Sequence, residues 1–95
     1  MTEYKLSHVA KEDLIQIHQY SVKQFGIKQA DNYFESFFDH FELLAKNPLA
    51  FELVNYIKPG YRRCICGVDS IFYRINESVV EIITIIGRQD YNQLI

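Results

Sequence analysis

Residues 71–86 read IFYRINESVVEIITII, and this stretch decides the fold. Two runs rich in β-branched and aromatic residues, 71–75 and 79–86, are separated by the polar triplet NES, a link of hairpin length. The second run is apolar on both faces apart from Glu81 and Thr84, which is typical of a covered central strand. The sequence therefore predicts an antiparallel hairpin whose second strand lies inside a sheet.

A further strand is predicted just before this hairpin. Residues 61–65 read YRRCI and follow the turn dipeptide Pro59-Gly60. The triplet 67–69, which begins with glycine, gives a second link of hairpin length. The last third of the chain thus predicts a three-stranded antiparallel meander.

Helical periodicity dominates the first half of the chain. A first helix is predicted from about residue 8, because Leu14, Ile17 and Phe25 recur on one face, and Gly26 is a natural stop. Residues 27–46 predict a longer second helix, which Pro48 prevents from continuing. Its apolar stripe steps by four and three residues: Ala30, Phe34, Phe37, Phe41 and Leu44. A link of one glycine makes the pair an antiparallel helical hairpin.

The order of these elements predicts the fold class. Ninety-five residues make one domain, 1–95, and 48% hydrophobic content is ample for a packed core. A weak strand at 4–7, the helical hairpin and the meander give an α+β domain with the helices on one face of a small sheet. Residues 51–57 are assigned to no element.

Composition and charge narrow the function classes. The formal net charge is -2, so the chain as a whole lacks the excess of positive charge that favours non-specific nucleic-acid binding. The N-terminus has no apolar leader segment, and no run approaches the length of a membrane span. We expect a soluble, cytoplasmic protein without a membrane partner. We also expect Cys64 and Cys66 to lie on opposite faces of a strand and to stay reduced.

The sequence gives little support for nucleophilic catalysis. His8, His18 and His40 lie on or beside the helices, away from both cysteines in sequence. Neither a zinc-ligand spacing nor a glycine-rich phosphate loop is present. We therefore expect no nucleophilic catalytic residue, no metal and no cofactor.

The distribution of arginine is the strongest functional signal. All four arginines lie in the last third, whereas five of the six lysines precede residue 50. Arginine binds carboxylates, phosphates and aromatic faces in ways that lysine does not, so an arginine-bearing sheet predicts recognition of a large partner. Strand alternation places Arg62 and Arg63 on opposite faces, and Arg74 has Asp69 or Glu81 as a possible ion-pair partner. Solvated or structurally paired arginines are an equally weighted alternative.

These residues resemble the ParE branch of the ParE/RelE toxin family, the toxin half of bacterial toxin–antitoxin pairs. The resemblance is carried by residues spread over nearly the whole chain: Leu6-Ser7, Ala10, Asp13-Leu14, Ile17, Tyr20, Phe25-Gly26, Ala30, Tyr33, Leu44, Pro48, 61–63, 71–75 and 85–90. It implies a toxin that arrests growth and that a ParD-like antitoxin, encoded beside it, neutralises. ParE-like toxins inhibit or poison DNA gyrase, while RelE-like relatives cleave mRNA on the ribosome.

The end of the chain favours the ParE branch. Residues 87–90 read GRQD, an ending typical of ParE-like toxins, and the predicted sheet carries no lysine beyond Lys58. Tyr91 follows the last strand too soon to match the C-terminal tyrosine of RelE-like nucleases. The resemblance thus implies a protein-binding gyrase inhibitor that is not an enzyme and does not itself bind DNA sequence-specifically. The alternative is a RelE-like, ribosome-dependent mRNA endonuclease.

Two groups of residues are predicted to carry the contacts. The target-binding group at the end of the chain is Arg88, Gln89, Asp90 and Tyr91. The group predicted to bind the antitoxin or another partner is Arg62, Arg63, Tyr73 and Arg74.

Overall fold

The structure is a computed structural model that describes residues 3–87. In chain order its elements are β1 (Glu3–Leu6), α1 (His8–Phe25), α2 (Ile27–Lys46), β2 (Glu52–Leu53), β3 (Arg62–Cys66), β4 (Asp69–Asn76) and β5 (Val79–Gly87). The predicted α+β class is confirmed, and so is the order of strand, helical hairpin and three-stranded meander. Neither α1 nor α2 is long and apolar enough to cross a membrane, and residues 3–87 contain no other α-helix.

The sheet has five strands in the order β1-β5-β4-β3-β2. β1 pairs with β5 in parallel, and the remaining pairs are antiparallel. The prediction that the last strand is central is confirmed, since β5 lies between β1 and β4. The two-residue edge strand β2 was not predicted, because so short a pairing leaves no alternation in the sequence.

Local chemistry explains where the helices begin and end. The Ser7 hydroxyl accepts a hydrogen bond of 2.9 Å from the Ala10 N–H and so caps the N-terminus of α1. Gly26, at a φ of +89°, lies between α1 and α2 and donates its N–H to the Val22 carbonyl. A side chain would be strained at this φ, which is why a single glycine can reverse the chain here. The predicted stop is confirmed.

The helical hairpin covers one face of the sheet. The core consists of Ala10, Leu14, Phe37, Phe41, Leu44, Cys64, Cys66, Ile71, Tyr73, Val80, Ile82 and Ile85. Four of the five residues of the predicted apolar stripe of α2 are buried, and the fifth, Phe34, is half-buried and packs against the core. The spacing of the stripe thus identified the face of α2 that packs on the sheet.

The prediction that Cys64 and Cys66 face opposite ways is wrong. Both are buried, while Ile65 between them is 59% exposed. Residues two apart in a strand point to the same face, and here that face packs against the helices. Burial raises the pKa of Cys64 to about 11, so this free thiol stays protonated and weakly nucleophilic at neutral pH.

A β-bulge interrupts the ladder between β4 and β5. Phe72 lies opposite Thr84, whereas the next residue, Tyr73, lies opposite Ile82. Ile83 is therefore an extra residue in β5, and it locally disrupts the pairing.

The first turns of α1 bind the backbone around this bulge. The Ser7 hydroxyl donates to the Ile83 carbonyl at 2.6 Å. The Asp13 carboxylate accepts from the Ile85 N–H at 3.0 Å and from the Thr84 hydroxyl at 2.6 Å. These hydrogen bonds join residues more than seventy positions apart in sequence and fix α1 to the central strand.

Replacing Asp13 by alanine is expected to lower the free energy of unfolding by about 1.5–3 kcal/mol, the usual value of hydrogen bonds to a charged group. The change leaves the Ile85 N–H and the Thr84 hydroxyl without their acceptor. Asp13→Asn is the control, because it keeps an oxygen acceptor and should lose less. Urea denaturation measures both variants; an alanine variant as stable as wild type would show that these bonds do not hold α1.

Candidate functional site

Two arginines lie on the outer face of the sheet, away from the helices. Arg63 lies opposite Glu52 of β2, with its Nη2 and Nε atoms 2.5 and 3.0 Å from the Glu52 Oε2 atom. Arg74 lies opposite Glu81 of β5, with its Nε atom 2.6 Å from Oε1. Of the two carboxylates predicted for Arg74, the structure selects Glu81, whose pKa the arginine lowers. The outer face therefore carries arginines that are paired with carboxylates across neighbouring strands.

Arg62 points to the opposite side of β3, as the alternation predicted. Its Nη1 atom donates to the Phe51 carbonyl at 2.8 Å. This bond ties the segment before β2 to β3. Arg62 thus has a contact inside the fold that the sequence did not reveal.

Tyr73 belongs to the core. Its side chain is 0% exposed, and its hydroxyl donates to the Pro48 carbonyl at 2.8 Å. Burial raises its pKa to about 12, although the nearby positive charge of Arg62 lowers it. Tyr73 has no accessible surface to offer a partner while the core is closed.

The predicted contact residues are therefore only partly brought together. Arg63 and Arg74 share the outer face, whereas Arg62 and Tyr73 face the helical side. The predicted target-binding residues Arg88, Gln89, Asp90 and Tyr91 lie outside the described residues. Among residues 3–87, no group of three or more His, Cys, Asp or Glu side chains is arranged to hold a metal ion.

The structure reveals a second surface, which sequence reasoning missed. A groove of about 1060 Å³ runs along the helical hairpin; we call it the hairpin groove. Its described lining is Val9, Asp13, Gln16, Ile17, Tyr20, Ser21 and Phe25 of α1, Gln29, Asn32, Tyr33 and Ser36 of α2, residues 67–69 at the β3–β4 turn, and residues 84–87 of β5. Its rim includes Val9, Tyr20, Phe25 and Val68, large apolar residues that are at least half exposed. The one available signal was Val68, an apolar residue in a turn where polar residues are usual.

Tyr33 fixes the β3–β4 turn against α2. Its hydroxyl lies 2.6 Å from Asp69 Oδ2 and 2.9 Å from the Cys66 carbonyl, so one proton is shared between two acceptors. Burial and the neighbouring carboxylate raise the pKa of Tyr33 well above its usual value, which keeps the hydroxyl a donor. The aromatic ring lies directly over Gly67. The turn that carries Val68 is thus held in a defined position.

Comparison with known proteins relates this arrangement to one family. The family model described as "ParE toxin of type II toxin-antitoxin system, parDE" matches residues 4–91. Toxin ParE1 of Caulobacter vibrioides is 36% identical over 86 residues, which cover 90% of this chain and 88% of that protein. Toxin ParE1 of Mycobacterium tuberculosis is 27% identical over 89 residues, which cover 93% of this chain and 91% of that protein.

Two solved structures share the fold. A chain of the chromosomal ParDE toxin–antitoxin system from P. aeruginosa superposes with a TM-score of 0.80 at 21% identity, covering 92% of this chain and 96% of that one. A chain of the toxin–antitoxin complex RelBE2 from Mycobacterium tuberculosis gives 0.58 at 17% identity, covering 92% and 98%. The family match spans the outer arginines and every described residue of the hairpin groove.

Proposed function

The chain belongs to the ParE toxin family of type II toxin–antitoxin systems, and we propose that it inhibits or poisons DNA gyrase by binding to it and that a ParD-like antitoxin neutralises it. The observation that carries this proposal is the family match over residues 4–91, together with a ParE1 relative that aligns over 90% of the chain. The ParDE structure with the same fold supports an antitoxin as the partner.

The geometry of the outer face supports binding in preference to RNA cleavage. Phosphodiester cleavage needs cationic groups directed at the phosphate and an acid or base beside them. Arg63 and Arg74 are instead directed at Glu52 and Glu81. Both arginines are thus neutralised by carboxylates of the protein itself, for which a protein partner can substitute its own carboxylates.

We assign roles to the predicted residues accordingly. Residues 88–91 follow β5 directly and are our candidates for the gyrase contact. Arg63 and Arg74 are our candidates for the antitoxin contact, because their guanidinium groups lie on the outer face. Arg62 and Tyr73 support this surface from the helical side.

Purified protein is expected to inhibit gyrase supercoiling or to increase the amount of cleaved DNA, and addition of the antitoxin should reverse the effect. Arg88→Ala should weaken the effect, because arginine is a frequent source of binding energy at protein interfaces. Lys46→Ala, at the far end of α2, is the control and should act as wild type.

Unchanged supercoiling and unchanged DNA cleavage at excess protein would contradict the gyrase proposal. Primer extension on mRNA after induction tests the alternative, since a RelE-like nuclease would produce new codon-linked ends. Growth arrest on expression without the antitoxin, with no such ends, would support the proposed mechanism.

A further inference from the structure

We propose that residues 88–95 cover Phe72 on the outer face of the sheet, and that Phe72 thereby positions the residues assigned to the gyrase contact. The first half of this inference concerns only the fold of the chain. The second half rests on the proposed function, because it takes gyrase to be the target. Together they give the outer face an occupant and give a buried residue a role in inhibition.

Phe72 is buried on the face of the sheet that the helices do not cover. Its neighbours along β4, Ile71 and Tyr73, belong to the core beneath the helical hairpin. Strand alternation therefore directs Phe72 to the outer face. Nevertheless Phe72 is 0% exposed, and Ser70, two residues earlier on the same face, is 2% exposed. The outer face thus has a buried patch of its own, separate from the core.

The outer face around this patch is open. Phe72 lies opposite Arg63 of β3 and Thr84 of β5, which flank its ring within the sheet. Close by on β3, Ile65 is 59% exposed, and the Arg74 side chain on β4 is 51% exposed. Neither helix can supply the cover, because both pack on the opposite face. A narrow segment from outside the sheet must therefore lie directly above Phe72.

Residues 88–95 begin where such a segment has to begin. Gly87, the last residue of β5, lies opposite Asp69, next to the buried Ser70. Phe72 lies three residues further along β4, about 10 Å away at the usual rise of a strand. Eight extended residues span up to about 26 Å, so the segment reaches Phe72 even after it has reversed direction.

The chemistry of the segment matches that of the outer face. It reads RQDYNQLI and contains three large apolar side chains: Tyr91, Leu94 and Ile95. These can cover the Phe72 ring, while the Asp90 carboxylate can join Glu52 as a partner of the Arg63 guanidinium. A second copy of the chain is not required as the occupant, because Phe72 is already buried within a single chain.

This placement joins the two predicted groups of contact residues. Residues 88–91 then lie beside Arg63 and Arg74 and form one surface with them. A segment held on the sheet loses less conformational entropy on binding than a free terminus does, which favours affinity for the target. Phe72 is a positioning residue in this arrangement, since it is buried and contacts no partner.

Cysteine labelling tests the cover in the full chain. Ser70→Cys is nearly isosteric, and Ile65→Cys, on the same face at an exposed position, is the matched control. The wild-type chain, whose two cysteines are buried, gives the background. Cysteine 70 should react with N-ethylmaleimide at least about tenfold more slowly than cysteine 65, because the segment must open first. Serine at positions 91, 94 and 95 together should abolish this difference.

Gyrase inhibition tests the positioning role. Phe72→Leu and Phe37→Leu remove the same atoms from rings that are both 0% exposed, but Phe37 lies in the core on the helical side. Phe72→Leu should require about threefold more protein for equal inhibition of supercoiling, since a loosened segment loses part of its binding free energy. Phe37→Leu should act as wild type. Phe72→Leu alone should also speed the labelling of Ser70→Cys, and thermal denaturation confirms that both variants remain folded.

The outcomes separate this inference from the proposed function. If cysteine 70 reacts as fast as cysteine 65 in the wild-type background, or stays slow with the three serines, residues 88–95 do not cover Phe72 and the inference is overturned. If the cover is found but Phe72→Leu inhibits gyrase as well as Phe37→Leu does, the positioning role is overturned. If wild type does not inhibit gyrase, the proposed function is wrong and the positioning role falls with it, while the labelling still decides the cover.

Discussion

Replacing Phe41 by alanine is expected to lower the free energy of unfolding by about 3–5 kcal/mol, the usual effect of removing a buried aromatic ring. Phe41 is 0% exposed, and its ring contacts those of Tyr4, Phe37 and Phe38. Removing it leaves a cavity where the second helix meets the first strand. Domains of this size have about 5–15 kcal/mol of stability in total, so the variant should populate the unfolded state strongly.

Phe25→Ala is the matched control, because it removes the same side chain from a position that is 61% exposed. Its effect on stability should be within about 0.5 kcal/mol, as for most surface substitutions. Urea denaturation followed by circular dichroism measures both variants. A loss below about 1 kcal/mol for Phe41→Ala would show that the neighbouring rings close the cavity, contrary to a tightly packed core.

The stability difference between Phe41→Ala and Phe25→Ala matters when contact residues are identified from loss of toxicity. Phe41→Ala should relieve growth arrest without touching a partner, simply because less folded toxin is present. Antitoxin that binds the folded state would restore stability by mass action. Loss of toxicity therefore identifies a contact residue only when unfolding has been measured on the same variant.

The sequence predicted those features that repeat along one element. The stripe of α2 recurs over several turns, so its buried face and its end near Pro48 could be located in advance. The continuous apolar run of β5 likewise indicated a central strand. β2 was missed because two residues are too few to show an alternation of polar and apolar side chains. The faces of Cys64 and Cys66 were predicted wrongly because residues two apart in a strand share a face.

The candidate sites depended on contacts that no local pattern contains. The Arg62 side chain donates to the Phe51 carbonyl, eleven positions away in sequence. The Asp13 carboxylate accepts from the Thr84 hydroxyl, beside the bulge in β5 and more than seventy positions away. The hairpin groove likewise joins residues of α1 to a turn far along the chain. On the outer face only the ion pair of Arg74 was foreseen, as a choice between Asp69 and Glu81. The pair of Arg63 with Glu52 was not, because it depends on β2.

The β3–β4 turn offers the sharpest test of how the groove is held. Gly67 has a φ of +59°, and a Cβ atom added there would lie 2.7 Å from the Tyr33 ring. Gly67→Ala therefore carries the cost of a left-handed backbone, about 1–2 kcal/mol, and the cost of overpacking, about 1–3 kcal/mol. We expect a total loss of about 2–5 kcal/mol, measured as a shift of the urea denaturation curve.

Gly60→Ala separates the two contributions. Gly60 has a φ of +81°, but a Cβ atom there would have nothing within 4 Å, so only the backbone cost applies. A double-mutant cycle with Tyr33→Ser completes the design: without the ring, Gly67→Ala should cost about as much as Gly60→Ala. Equal costs for the two glycine variants in the wild-type background would mean that the ring yields freely, and that Tyr33 does not fix the turn.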